Sequence, residues 1–356
     1  MKKVLVLFGG VSSEHDVSCV SASYVVSNIP RDKYEVCPLG ITKEGEWFLF
    51  EGDVSLLPED KWMINSGKCT KALLSPDRKD HGITVFRESG PEKIHIDVCF
   101  PVMHGKNGED GTIQGLLELA GIPYVGCGVL ASSVCMDKAV TNTLADQAGI
   151  AQAKWLATDV NEYRENRTEF IKKAEATLGY PIFVKPANAG SSVGITKAHD
   201  ESELREALEK AFSCDRKAVL EEFVDGFEVE CAVIGNYRPM ASCIGQIISC
   251  NEFYDYTAKY VSDSRLLIPA ELPEDKQNEV RKEAVRAFKT LGCTGLSRVD
   301  FFVRKSDGRV MFNEINTIPG FTSISMYPKL MEQSGVPYPK LLDKLFKLAA
   351  EIKEDK

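Results

Sequence analysis

The chain has 356 residues, a formal net charge of -9 and a pI near 5.3. That length is more than one hydrophobic core usually serves, so two or three domains are expected. With 44% hydrophobic and 27% charged residues it reads as an ordinary globular protein, and an acidic chain without a Lys/Arg run excludes the classes that grip nucleic acid or anionic membranes.

The opening MKKVLVLFGG joins two lysines to an apolar run, as a signal peptide does. The run is too short for one and ends at Gly9 and Gly10, so a first strand is expected. The loop GGVSSEHD follows, then a helix from about Val17 to Asn28 and a strand at YEVCPLGIT. HIDVCFPV reads as a buried strand, followed by the glycine-rich loop HGKNGEDG and the apolar helix TIQGLLELAG. Strands alternating with helices predict an α/β unit on a doubly wound parallel sheet, with binding loops beyond the strands' carboxyl ends. A helical pattern spans about Val129 to Ala148. LGYPIFVKP is a strand, GSSVGITKA a Gly/Ser turn entering another, ESELREALEKAF a helix and AVLEEFV a strand. From about Asp225 strands dominate, as in FEVECAVIG and RPMASCIGQII, and the class shifts toward α+β. The polar, aromatic connection NEFYDYTAKYVSDSR precedes the helix EDKQNEVRKEAVRAFKTLG, the apolar strands LSRVDFFV and VMFNEIN, and an amphipathic helix from Tyr338. No apolar stretch reaches about 18 residues, so no membrane span is expected. The eleven cysteines contain no C-x-x-C pair, which points to reduced core thiols in a cytoplasm rather than to zinc or a disulfide framework.

Three segments carry chemistry. There is no G-x-x-x-x-G-K-[ST], G-x-G-x-x-G or H-E-x-x-H, so P-loop, dinucleotide-fold and zincin chemistry are set aside. In SRVDFF and FNEIN, residues two apart share a strand face, which groups Arg298 with Asp300 and Glu314 with Asn316. If the strands pair, two carboxylates, an amide and a guanidinium converge among apolar neighbours. Such oxygen ligands suit Mg²⁺ bound with nucleotide phosphates, and the same spacing equally suits a buried salt bridge on Arg298. FVKPANAGSSVGI places Lys185 at a strand end before a Gly/Ser loop whose N–H groups can cradle phosphate; an ordinary turn with a solvated lysine is the alternative. Lys138, in MDKAVT, is a second candidate cation. AVLEEFVDGFEVE offers Glu221 and Glu228 around a linker suited to holding adenine by backbone and ribose by carboxylate, or else a surface turn with solvated acids.

Taken together, Lys138, VKP at Lys185, GSSVG, EEFVDGFE and RVDFF…FNEIN follow the order and spacing of an ATP-grasp enzyme, and the chain resembles that fold. GGVSSEHDVS, HGKNGEDGTIQG, EFYDYTAKYVSD and NTIPGFTS narrow the resemblance to the D-alanine–D-alanine ligase family over nearly the whole length. The resemblance implies an N-terminal substrate domain at 1–127, a central ATP-grasp subdomain at 128–220, and a C-terminal domain at 221–356 carrying the metal site and a lid loop at about 248–266. It implies phosphate contacts from Lys138 and Lys185, adenosine held by Glu221, the backbone of Phe223 and Val224, and Glu228, and two Mg²⁺ ions on Asp300, Glu314 and Asn316. Mn²⁺ in place of Mg²⁺ and K⁺ as a further ion come with the same family. Glu14 would anchor the first D-alanine's amine in a network with Ser191 and Tyr260, with Lys259 reaching the transferred phosphate. Arg298 and the backbone near Gly320 would hold the oxyanion, Ser325 and Met326 the second carboxylate, and His104 would lie near the substrate. The implied reaction passes through a D-alanyl phosphate to D-alanyl-D-alanine for peptidoglycan precursors, in the cytoplasm and commonly as a homodimer.

The chain departs from the family pattern in places. His15 and Asp16 stand where arginine and glutamate are frequent, and Ala189 where an acid is frequent. GFTSISMYPKL and HGKNGEDGTIQG lean toward the branch of vancomycin-resistance ligases, some of which use D-serine or D-lactate. The FYDYTAKY loop, which D-lactate makers replace, is intact, and Tyr254 and Met326 stand where D-serine makers carry Phe and Arg. A methionine offers a serine hydroxyl no strong partner, so D-alanine is the expected second substrate and a D-alanine–D-serine ligase the alternative. A non-catalytic ATP sensor is a more distant reading, weakened by the presence of Arg298 and Lys259.

Overall fold

The computed structural model describes residues 1–64, 66–248 and 265–354. Strand β1 (Lys2–Gly9) is buried from Val4 to Phe8, so apolar layers cover both of its faces. It pairs in parallel with β2 (Tyr34–Ile41), reached through helix α1 (His15–Asn28), and with β7 (Val98–Val102). The parallel pattern stops there. β3 (Trp47–Phe50), β4 (Cys69–Leu74), β5 (Gly82–Arg87) and β6 (Gly90–His95) add as antiparallel neighbours, giving the order β6-β5-β4-β3-β2-β1-β7. These hairpin strands run through a segment whose short apolar pairs gave no distinct strand signal in the sequence.

After β7 come α2 (Thr112–Ala120), α3 (Val129–Met136) and α4 (Lys138–Gln147). The single helix expected over 129–148 is divided at Asp137. Its backbone is extended and its carboxylate accepts from the N–H groups of Ala139 and Val140, so it caps a new helix. The cap sets Lys138 at the first position of α4.

The second sheet holds β8 (Trp155–Asp159), β9 (Ile182–Pro186), β10 (Thr196–Ala198) and β11 (Lys217–Glu222) in the order β10-β9-β11-β8, all antiparallel. Short α5 (Val160–Glu165) leads to α6 (Arg167–Leu178), and α7 (Glu201–Cys214) follows β10. Ile171 and Ala174 of α6, and Leu204, Leu208 and Ala211 of α7, bury against Val184 and Leu220. Their three-to-four-residue spacing is what one apolar helix face requires.

The third sheet orders β12 (Gly226–Ile234), β13 (Met240–Ile248), β14 (Arg265–Leu267), β15 (Leu296–Arg304) and β16 (Val310–Asn316) as β14-β13-β12-β15-β16. Helix α8 (Glu274–Thr290) covers one face, with Val280, Ala284 and Phe288 on Val229, Cys231 and Phe301. Helices α9 (Met326–Gln333) and α10 (Tyr338–Glu354) lie on the other. Leu341, Leu342, Leu345 and Phe346 of α10 pack in one core with Val4, Val6, Phe8 and Phe100 of the first sheet. Edge-to-face contacts of Phe100 with Phe321 (5.2 Å) and of Tyr34 with Phe346 (5.0 Å) tie the two ends of the chain together. Among the described residues no helix is long and apolar enough to cross a membrane.

Replacing Phe100 by Ala opens a cavity in this shared core. It should destabilise the protein by about 3–5 kcal/mol in chemical denaturation, lowering the midpoint without abolishing the fold.

Candidate active site

The site begins with strand register. β15 and β16 do pair, antiparallel, with Arg298 opposite Asn316 and Asp300 opposite Glu314. Arg298 Nε donates to Asp300 Oδ1 at 2.8 Å and Nη2 to Oδ2 at 2.6 Å, and Asn316 Nδ2 donates to the same Oδ2 at 3.0 Å. Glu230, opposite Asp300 on β12, adds a second carboxylate, with Oε2 3.0 Å from the same Arg298 Nε. Burial opposes the charge on the guanidinium, but Asp300 and Glu230 outweigh it and hold the pKa well above its ordinary value. The salt bridge weighed from the sequence is therefore present, and the oxygen set is present with it. Asp300, Glu314 and Asn316 sit side by side on paired strands, an all-oxygen donor group that fits a hard divalent cation. Glu230 was missed, although FEVE puts it two residues beyond Glu228 on the same strand face.

The neighbouring cleft, of about 580 Å³, is lined by Lys185, Glu221, Phe223, Val224, Glu228 and Asp300 among others. Lys185 is not a solvated turn lysine. It is buried on β9, and Nζ donates to Glu221 Oε2 at 2.6 Å and to Asn313 Oδ1 at 3.4 Å. Burial pulls its pKa down, and the carboxylates of Glu221 and Glu314 more than reverse this, so it stays charged. Lys138 Nζ donates to Ala189 O at 2.9 Å and lies 3.7 Å from Glu314. The two lysines thus flank Glu314 from different elements. Phe223 and Val224 fall in the linker between β11 and β12, with Phe183 stacked on the Phe223 ring at 6.3 Å and Lys197 Nζ 4.6 Å from it. This corrects the surface-turn alternative: the linker forms a wall of the cleft.

At the other end, the Gly/Ser loop meets the N-terminal loop. Ser191 Oγ donates to the buried Glu14 carboxylate. A Cβ on Gly105 or Gly190 would lie 2.3 or 2.7 Å from Glu14 Oε2, so both glycines are needed for this approach. Ser191 and Ser192 hold φ of 49° and 58°, a strained left-handed pair of the kind that persists where surrounding contacts fix it. His104 is buried, with Nε2 3.0 Å from Ser21 Oγ and Nδ1 3.1 Å from Ile318 O and 3.5 Å from Glu109. It thereby links the first sheet to the segment after β16. Ser325 precedes α9, and its Oγ accepts from Thr322 N–H at 3.0 Å and lies 2.7 Å from where a Cβ on Gly320 would be. Met326 opens the helix, its sulfur 2.6 Å from the Cβ position of Gly245. The first N–H groups of a helix have no partner within it and favour a carboxylate. Glu14, His104, Arg298, Gly320, Ser325 and Met326 line one pocket, and Ser191 joins it to the pocket containing Lys138, Glu314 and Asn316. Lys259, Tyr260 and Tyr254, with most of the 248–266 loop, lie outside the described residues.

Two further residues support the Glu14 loop. His15 Nδ1 is 2.8 Å from Gly10 O and Nε2 is 3.1 Å from Asp60 Oδ1, which also accepts from Trp62 Nε1 at 2.9 Å. Asp60 is some forty residues away in sequence, so no local pattern could have announced it.

Known proteins resemble this chain over nearly its whole length. The D-ala D-ala ligase N-terminus profile matches residues 3–127 and the C-terminus profile residues 144–347. The chain belongs to the D-alanine–D-alanine ligase family. The D-alanine–D-alanine ligases of Caldicellulosiruptor bescii and Acetivibrio thermocellus are 52% and 51% identical, each over 99% of this chain and over 96% and 97% of their own. Among solved structures, the VanG D-Ala:D-Ser ligase of Enterococcus faecalis is 42% identical with a TM-score of 0.89, covering 98% of this chain and 99% of that one. The D-alanine–D-alanine ligase of Coxiella burnetii is 33% identical with a TM-score of 0.86, covering 100% and 97%. The chain is accordingly an ATP-dependent ligase enzyme with the ATP-grasp fold.

Lys185→Ala in this ligase leaves Glu221 buried without its cation. A loss of about 3–5 kcal/mol is expected on denaturation, with ADP binding weakened in calorimetric titration. The double variant Lys185→Ala/Glu221→Gln should recover most of the stability and none of the affinity.

Proposed function

We propose that the enzyme phosphorylates the carboxylate of one D-alanine with ATP and joins it to the amine of a second, giving D-alanyl-D-alanine for peptidoglycan precursors. The observation that carries this reading is the run of three adjoining pockets, in which buried Lys185, half-buried Lys138 and an oxygen donor set stand at one end and Glu14, Arg298 and the start of α9 at the other.

In the proposed mechanism Glu221, Glu228 and the Phe223–Val224 linker hold adenosine, while Lys138 and Lys185 hold phosphates. Asp300, Glu314 and Asn316 would hold two Mg²⁺ ions, which would supply positive charge against the phosphates; Mn²⁺ would serve in their place, and K⁺ is a further candidate ion. Glu14, fixed by Ser191, takes the first D-alanine's ammonium, with His104 beside it. The carboxylate oxygen of that D-alanine attacks the γ-phosphorus and ADP leaves. Ser325 and Met326, at the α9 start, orient the second D-alanine by its carboxylate. Its free amine attacks the acyl phosphate carbonyl, Arg298 and the backbone at Gly320 stabilise the oxyanion, and phosphate departs. Tyr260 and Lys259 close the lid, which keeps water from the acyl phosphate. No side-chain nucleophile is consumed. The reading extends to a cytoplasmic homodimer and to the domain division 1–127, 128–220 and 221–356.

Met326 supports D-alanine as the second substrate, because its thioether presents no strong hydrogen-bonding group to a hydroxymethyl side chain. The likeness to the VanG ligase favours a second reading, a D-alanine–D-serine ligase. The two are separated by phosphate release and product mass with D-alanine alone, D-alanine plus D-serine, and L-alanine. D-alanine alone should give D-alanyl-D-alanine. A dominant D-alanyl-D-serine product would overturn the D-alanine assignment, and no turnover with any D-amino acid would overturn both. Tyr260→Phe should slow dipeptide formation by about tenfold, the scale of one hydrogen bond of about 1.4 kcal/mol, and unchanged turnover would remove it from the lid role.

A further inference from the structure

We infer that Glu230 is a positioning residue for Arg298, the counter-ion that keeps the guanidinium in place when Asp300 turns to a divalent cation. The inference rests on the role proposed for Arg298 and Asp300 and adds a residue that the family motifs do not single out.

Asp300 faces two claims on its carboxylate, the guanidinium and the cation. Both oxygens of Asp300 are already committed, Oδ1 to Arg298 Nε and Oδ2 to Arg298 Nη2 and Asn316 Nδ2. A carboxylate that turns to a cation shares its charge with it and holds the guanidinium less firmly, since three of its roughly four acceptor sites are already taken. The guanidinium it releases is buried, and a buried charge that loses its partner is strongly destabilised. A second acid is needed within reach, and Glu230 supplies it at 3.0 Å from Nε.

Placement separates the two acids. Arg298 and Glu230 line both the amino-acid pocket and the nucleotide cleft, whereas Asp300 lines only the nucleotide cleft. Glu230 therefore stands in the wall between the two reactant sites, on β12, directly opposite Asp300 in the register. Glu230 already lies 3.0 Å from Arg298 Nε, so the guanidinium has a carboxylate in place when Asp300 turns to the cation. Cation binding at Asp300 and alignment of Arg298 toward the amino-acid pocket are then one coupled event, and Glu230 is what couples them.

The test uses the full chain, with Mn²⁺ as probe in the presence of ADP and free Mn²⁺ read by electron paramagnetic resonance. No D-amino acid is needed for this arm. Glu230→Gln keeps an acceptor and removes the charge. It should weaken Mn²⁺ binding by about tenfold, within the 5–150-fold range usual for coupled sites, because Arg298 then holds Asp300 more firmly. In an Arg298→Gln background, where there is nothing to relay, the same change should move the affinity less than about twofold. Equal weakening in both backgrounds would mean a plain charge effect and would overturn the inference. Should the Arg298→Gln protein not fold, kinetics of Glu230→Gln decide. The expected result is a kcat lowered about tenfold with the KM for D-alanine changed less than about threefold, and partial recovery in Glu230→Asp. Kinetics and Mn²⁺ binding both like the wild type would overturn it. A wild-type chain that binds Mn²⁺–ADP but makes no D-alanyl-D-alanine would refute the proposed activity and leave the Mn²⁺ prediction standing on its own measurement.

Discussion

One buried guanidinium organises this protein. Arg298 lies inside an apolar sheet between Glu230 and Asp300, on strands whose other residues, Val299 and Phe301, belong to the core. A charge in that position is tolerated only because its own strand and β12 deliver its partners, Asp300 and Glu230, in register. The same register places Asn316 and Glu314 beside it. Core packing and the reactive centre are thus a single construction, in which the strands that hold Val299 and Phe301 inward present the acids to the cleft.

The rest of the molecule brings charge and closure to that centre. The chain is acidic overall, with a formal net charge of -9, so anions can only be held where cations are gathered locally. Lys185 from the second sheet and Lys138 from the capped start of α4 do this, and each is oriented by partners rather than left to solvent. The first sheet contributes Glu14 and His104. Their loops are held by long-range bonds, Ser191 to Glu14 and His104 to Ile318 O, that run between separate sheets. The shared core around Phe100, Phe321 and Phe346 fixes the N-terminal sheet against the C-terminal helix, and so sets the distance across which those bonds form.

Much of this was legible in the amino-acid order. Period-two patterning in SRVDFF and FNEIN assigned Arg298, Asp300, Glu314 and Asn316 to common faces before any pairing was known, because side chains alternate along every strand. The order of the cation, glycine and acid motifs identified the fold family, since each motif follows a strand or opens a helix with its own local signature. Hidden from it were the Asp137 cap that divides a continuous helical pattern, the hairpins between Trp47 and His95, and every partner chosen across long separations. Glu230 was one more acid in a strand until its neighbours were known, and Asp60 one more loop residue until His15 reached it.

The sequence by itself determined which residue types stand at which strand faces and helix starts, and with them the chemistry available to the enzyme. Only the tertiary structure decided that Lys185 and Arg298 are buried and paired, that the Glu14 and Ser191 loops meet, and that Glu230 shares a guanidinium with Asp300. Local patterns record the directions of side chains along one element. Ion pairing in a buried site depends on distances between elements, and those are set by the packing of the whole core.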